Sequence, residues 1–351
     1  MPDLDALGRA LEARGVEVVF GLPGTQTVEL FEVLRRSSIR VVLATNETAA
    51  AFMANGYGRM ADRPGVLLTI GGPGFTWSLP GIAEARLDSV PLVHLVTAPA
   101  TSPGSAFQLQ AIDQGAIAAP LVKSAFLLGE GDDPARVLEE AFGDATRGEP
   151  GPVMVQLARA GQRSPSATAE RAQRDPAPDD PNDLADLADL ADLLERFRRA
   201  RRPVLLLGQG SVEGADAARE LAERFGVPVL TTPSGRGIVS EDHPASMPFD
   251  VLRGGVDAAN ELLEAADLVV GIGCKLGHNG SAGFQLRIPE ARFVHVDREP
   301  EVLNANYPAS LTWVGDAAPT LRRLVEARRD VPPPGRDPDA LAAWRTRLLA
   351  A

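Results

Sequence analysis

The chain has 351 residues, 44% of them hydrophobic and 23% charged, a globular profile with enough apolar material for two cores. Its formal net charge of -12 argues against non-specific nucleic-acid binding and against adhesion to anionic membranes, both of which need a basic footprint. No basic segment leads into an apolar run at the start, and no stretch approaches the ~20 apolar residues of a membrane span, so a cytoplasmic protein acting on small molecules or proteins is expected.

In chain order, short apolar runs at Glu17-Val18-Val19-Phe20, Val41-Val42-Leu43, Val66-Leu67-Leu68-Thr69-Ile70, Pro91 to Val96 and Val153 to Leu157 alternate with longer helical patterns. Continuous apolar strands separated by helices predict a parallel sheet covered on both faces. A stretch from Ala160 to Asp183, rich in Ser, Pro, Asp, Arg and Ala, has no apolar periodicity and reads as a linker. The repeated Leu-Ala-Asp run from Leu184 to Asp192 leads into a helix. Strands resume at Pro203 to Leu207, Val227 to Leu230, Asp267 to Ile272 and Arg292 to Asp297. The fold class expected is α/β, with two doubly wound parallel-sheet domains at residues 1–162 and 185–330, a linker at 163–184 and a C-terminal linker and helix at 331–351.

Three blocks stand at consecutive strand ends: Gly21-Leu22-Pro23-Gly24, then Asn46-Glu47 through Gly56-Tyr57-Gly58-Arg59, then Gly72-Pro73-Gly74. Glu47 falls in the first turn of a helix, where the free N–H groups and the helix dipole favour a carboxylate whatever its function. The glycine-proline loops equally serve as ordinary turns. Their joint position at the C-terminal edge of a parallel sheet, where α/β folds bind ligands, makes a functional carboxylate the sharper reading. Gly208-Gln209-Gly210 running towards Gly214 is only a GxGxxxG, which suits either a pyrophosphate or a bare strand-to-helix turn. Asp297 ends a later strand, where it either meets a ribose hydroxyl or is simply solvated. Cys274 has no partner for a disulfide and reads as a small residue at a strand end. Of the four histidines, His94 and His295 read as core residues, while His243 and His278 fall in loops and only His278 is kept as a nucleotide-pocket candidate.

Residues 3–160 resemble the pyrimidine-binding domain of the thiamine-diphosphate (ThDP) enzymes that act on 2-oxo acids, among them acetolactate synthase and benzoylformate decarboxylase. Residues 185–330 resemble their central domain. The resemblance rests on the three blocks above and continues through Ile82-Ala83-Glu84-Ala85, Asp88-Ser89, Pro91, Phe107-Gln108, Lys123 and Gly151-Pro152-Val153. It implies that Glu47 hydrogen-bonds the pyrimidine of ThDP, protonates its ring nitrogen and so allows the ring's imino group to take the thiazolium proton. A partly desolvated carboxyl with a raised pKa suits that role. It further implies that Pro23, Gly24, Gly72, Pro73 and Gly74 bind the cofactor, that Gln108 joins Glu47 as a catalytic residue on the substrate side, and that Thr25, Phe75 and Trp77 line the substrate pocket. Lys123 begins the next strand.

There are departures. Phe75-Thr76-Trp77 stands where members of the family commonly have small and polar residues, Gln156-Leu157-Ala158-Arg159-Ala160 replaces a lysine-bearing segment, and the flavin loops of acetolactate synthases are not recognisable, so no tightly bound FAD is expected. The Gly-Asp-Gly…Asn motif that holds Mg²⁺ and the diphosphate does not occur; Gly315-Asp316-Ala317 matches the end of the central domain instead. The expectation is therefore a split ThDP-dependent lyase or transferase whose metal and diphosphate are held by a separate diphosphate-binding polypeptide, assembled as a dimer or heterotetramer and acting on a small 2-oxo acid. The competing expectation is a catalytically degenerate homologue that binds a nucleotide or regulates a relative.

Overall fold

The computed structural model describes residues 2–61, 63–98, 109–158, 187–249, 255–331 and 338–350. They form two compact units, Met1–Ala177 and Pro178–Ala351, each built on a six-stranded, wholly parallel sheet with flanking helices.

In the first unit the strands are β1 (Val18–Gly21), β2 (Arg40–Leu43), β3 (Gly65–Thr69), β4 (Leu92–Thr97), β5 (Ser124–Leu128) and β6 (Pro152–Leu157), and the helices α1 (Leu4–Ala13), α2 (Val28–Arg35), α3 (Glu47–Met60), α4 (Pro73–Leu87), α5 (Gln114–Ala118) and α6 (Pro134–Thr146). The sheet order is β2-β1-β3-β4-β6-β5. Alternation along each strand supplies both faces. Val19, Val66, Leu68, Val93 and Leu95 pack with Leu7, Leu11, Leu30 and Leu138 of α1, α2 and α6. Phe20, Leu67 and Leu92 face Ala50, Ala51 and Ala54 of α3 and Ile82 of α4 on the other side. α3 and α4 approach very closely because Gly81 has no side chain: a methyl group there would stand 2.6 Å from Ala51 Cβ.

The second unit contains β7 (Pro203–Leu207), β8 (Val229–Thr231), β9 (Ser246–Pro248), β10 (Leu268–Ile272), β11 (Phe293–Asp297) and β12 (Leu311–Val314), with helices α7 (Leu187–Arg199), α8 (Ala215–Phe225), α9 (Val256–Ala265), α10 (Ala317–Arg328) and α11 (Pro338–Ala350). Its order, β12-β11-β10-β7-β8-β9, is the doubly wound arrangement of dinucleotide folds. The helix at 338–350, expected as an appendage, packs on this unit: Leu348 is buried with Leu262 and Met247, and Arg347 pairs with Glu261 of α9. β9 and β12 go beyond the sequence reading. Both are short edge strands, one ending in Pro248 and the other only alternately buried, so neither carries the continuous apolar run of a central strand. Among the described residues no helix is long and apolar enough to cross a membrane.

Candidate functional site

In the first sheet the chain reverses its direction of winding between β1 and β3, which lie side by side. That switch point leaves a crevice at the C-terminal ends of the strands. The loop after β1 brings Pro23 and Gly24 there, the loop after β2 leads to Glu47, and the loop after β3 brings Gly72, Pro73 and Gly74.

Glu47 is the first residue of α3. Asn46, in extended conformation, caps the helix by accepting from the Ala49 N–H at 2.7 Å. The carboxylate is therefore not consumed as the cap. It is buried, at 8% exposure, and has no hydrogen-bond or ion-pair partner among the described residues. Its oxygens are not among the fully buried atoms left without a partner, so they open towards the crevice and can accept from a group that enters it.

The wall beside Glu47 is made by absence of side chains. A methyl group on Gly74 would stand 3.0 Å from Glu47 Oε1 and 2.6 Å from Ile70 Cγ1, and one on Gly24 would stand 2.5 Å from Ile70 Cγ2. Ile70, which the sequence reading assigned only to a strand, thus sits between the two glycine loops. Gly72 has a φ of 69° and serves as N-cap of α4, with Pro73 exposed at the first helical position. Pro23 and Thr25 are exposed, and Gly24 is held by bonds to Thr27, whose Oγ1 accepts from the Gly24 N–H at 3.0 Å.

Phe75 and Trp77, both expected at the substrate pocket, leave α4 on different sides. Phe75 is fully buried, stacked on the His94 ring at 6.0 Å and packed with Val96, Ala118 and Met154. Trp77 is 60% exposed, and its carbonyl accepts from Thr48 Oγ1. Residues two apart on an α-helix project about 200° from one another, so one wall cannot hold both. Gln108 and Phe107 lie outside the described residues.

A belt of uncharged polar groups also went unrecognised in the sequence. Gln26, Thr97, Gln110, Gln114 and Gln156 link the strand ends around Gly71 and Gly72. The available signal was modest: Thr97 and Gln156 are polar positions at or near the C-terminal ends of largely apolar strands.

Other motif residues hold the scaffold. Arg59 pairs with Asp88 at 2.8 Å, Asn55 donates to the Gly81 carbonyl at 3.3 Å, and Lys123 Nζ donates to the carbonyls of Asp144 and Arg147 at the end of α6, at 2.5 and 2.6 Å. His94 and His295 are core residues as expected, yet each has only one ring nitrogen bonded among the described residues, to Thr69 Oγ1 and to the Cys274 carbonyl respectively. Burial pushes the His94 pKa down to about 3 and lowers that of His295. Burial, reinforced by the Asp297 charge, pushes the Cys274 thiol up.

At the switch point of the second sheet the glycines are used against each other. A methyl group on Gly208 would stand 2.2 Å from the Gly273 carbonyl oxygen, and the Gly210 N–H already donates to that oxygen at 3.0 Å. The tight-turn reading of GxGxxxG therefore accounts for these residues without a phosphate. Asp297 Oδ1 accepts from the Glu299 N–H, Asp316 pairs with Arg298, and the His278 ring lies edge-on to Phe284. Among the described residues no group of three or more His, Cys, Asp or Glu side chains comes together to hold a metal ion.

Comparison with known proteins identifies the family. Residues 4–117 match the family model described as the N-terminal TPP binding domain of thiamine pyrophosphate enzymes, and residues 190–324 match that of the thiamine pyrophosphate enzyme central domain. The chain is 31% identical over 333 residues to an acetolactate synthase of Mycobacterium bovis, covering 94% of this chain and 54% of that protein. It is 31% identical over 332 residues to a probable acetolactate synthase large subunit of Methanocaldococcus jannaschii, covering 93% and 56%, and 32% identical over 325 residues to the chloroplastic acetolactate synthase of Arabidopsis thaliana, covering 91% and 48%. The chain spans about half the length of the relatives it matches.

Proposed function

From its membership of the thiamine pyrophosphate enzymes, the family to which this chain belongs, we propose that its first unit binds the aminopyrimidine of ThDP with Glu47 as acid–base partner. In this reading the chain serves as the pyrimidine-plus-central part of an acetolactate synthase-like decarboxylase or carboligase acting on a small 2-oxo acid. The observation that carries it is Glu47, a largely buried residue whose carboxylate has no partner among the described residues, beside Gly74 at the β1/β3 switch point.

Bound ThDP supplies the electron sink for making or breaking the bond next to the substrate carbonyl. The protein's share is placement and proton handling. Glu47 would hold a proton at the pyrimidine ring nitrogen and take it back, as a general acid–base. Gly24 and Gly74, lacking side chains, let their loops close on Ile70, and with Pro23, Gly72 and Pro73 they would border the ring. Thr25 stands at the exposed mouth, and Gln108 is assigned to the substrate side.

Glu47 and the glycine-proline loops suit the pyrimidine end of the cofactor, whereas the Gly-Asp-Gly…Asn motif that would hold its Mg²⁺ and diphosphate does not occur in the sequence. We assign the metal and diphosphate ligands to a diphosphate-binding domain outside these residues, on a separate chain, in a dimer or heterotetramer. No flavin is assigned to the second unit, where the Gly210 N–H is spent on Gly273.

The test is to sequence the DNA that flanks the coding region, mix any Gly-Asp-Gly…Asn polypeptide it encodes with this chain, titrate ThDP and Mg²⁺ calorimetrically, and screen 2-oxo acids for turnover. Tight ThDP binding in the mixture with 2-oxo acid consumption is expected. A mixture that binds no ThDP points instead to a degenerate regulatory homologue.

A further inference from the structure

Gly72 is the hinge of the entrance to α4. Its φ of 69° and ψ of -118° suit glycine, and a methyl group there would meet Gln110 Cβ at 2.7 Å and its carbonyl oxygen at 2.8 Å. Its N–H is buried and needs a protein acceptor. Gln114 Oε1, from the first residue of α5, accepts it at 2.9 Å.

Every polar atom of that amide is committed. Nε2 donates to the Thr97 carbonyl at 3.4 Å and to Gln156 Oε1 at 3.2 Å, and the residue is 2% exposed. Rotating the amide by half a turn would set an NH₂ group against the Gly72 N–H, so the surroundings accept one orientation only. One residue earlier, the Gly71 N–H is shared between Gln26 Oε1 and Thr97 Oγ1, each at 3.3 Å, and Gln26 Nε2 reaches Gln110 Oε1 at 2.5 Å. The turn before α4 is thus suspended from side chains of three other segments. A carboxylate in place of Gln114 would keep the bond to Gly72 but confront two acceptor oxygens with a buried charge.

We propose that Gln114 is a positioning residue for ThDP. It fixes the Gly72 turn, and through that turn the seat of Gly74 against Glu47, without itself touching the cofactor. The proposal rests on the reading of Glu47 given above.

Gln114→Met removes the amide at nearly constant volume. By amide hydrogen exchange on the chain alone, Gly72 is expected to exchange about tenfold faster, as for one lost buried hydrogen bond, with Leu67 and Leu68 in β3 unchanged. In the assembled enzyme the apparent ThDP affinity is expected to fall about tenfold, with less than about threefold loss of kcat at saturating ThDP. Gln114→Leu, which likewise removes the acceptor, serves if the methionine variant does not fold. Unchanged Gly72 exchange overturns the proposal, as does faster exchange with unaltered ThDP affinity. Failure of the wild-type assembly to bind ThDP removes the Glu47 reading and the cofactor role together, while the exchange readout separately decides whether Gln114 holds the turn.

Discussion

Gly74 lies against the carboxylate of Glu47, so closely that a methyl group on it would stand 3.0 Å from Oε1 and 2.6 Å from Ile70 Cγ1. The segment after β3 is thereby packed against the acid that follows β2. Gly74→Ala has to move either the carboxylate or Ile70, and should destabilise the chain by about 1–3 kcal/mol, as overpacking does. ThDP affinity of the assembled enzyme should fall with it. Chemical denaturation and calorimetric titration check the two effects; wild-type values in both would show that the wall yields freely.

Glu47→Gln retains size and hydrogen-bonding capacity but cannot exchange a proton. Because the Glu47 carboxylate makes no bond to the described residues and Asn46 does the capping, stability should be unchanged or slightly raised. Turnover in the assembled enzyme should drop by roughly 10²–10⁴-fold, the usual share of a positioned acid–base group. Wild-type-like turnover would remove Glu47 from its role.

Within one motif, two glycines should respond oppositely. Gly58 packs against the Pro91 carbonyl, 2.4 Å from where a methyl carbon would sit, whereas Gly56 is exposed on the same helix with nothing within 4 Å. Gly58→Ala should destabilise by several kcal/mol because backbone must move, and Gly56→Ala should stabilise by about 0.5–1 kcal/mol through helix propensity. Melting curves of the two variants provide the comparison.

His94 gives the fold an acid sensitivity. Its folded pKa lies near 3 because burial disfavours the charged ring, against an ordinary value of 6.5. The unfolded chain therefore binds a proton that the folded chain refuses, so this contribution to stability is intact above pH 6.5 and is lost as pH falls from 6.5 towards 3. The folding equilibrium should weaken by up to about tenfold per pH unit in that window. Denaturation at a series of pH values should show a shallower slope in a His94→Leu/Thr69→Val pair, which removes the titrating ring and its hydroxyl partner together. An identical slope would place the sensitivity elsewhere.

Periodicity and strand-end punctuation were local facts, and they sufficed for much of the molecule. Apolar runs such as Val66 to Thr69 announced buried parallel strands, and Asn46-Glu47 at the end of one such run announced a capped helix with an acid in its first turn. Two α/β sheets and the region of the candidate site follow from those residues because the period of burial and the chemistry of caps depend on near neighbours in the chain. Tertiary structure decided what depends on distant segments meeting. Only the packing of α4 sends Phe75 into the core and Trp77 outward, only the meeting of the β1 and β3 loops sets Ile70 between Gly24 and Gly74, and only the convergence of five polar residues from separate elements makes Gln114 the acceptor for Gly72. No spacing along the chain encodes those contacts, since each is fixed by which side chains the folded sheet edge leaves space to approach.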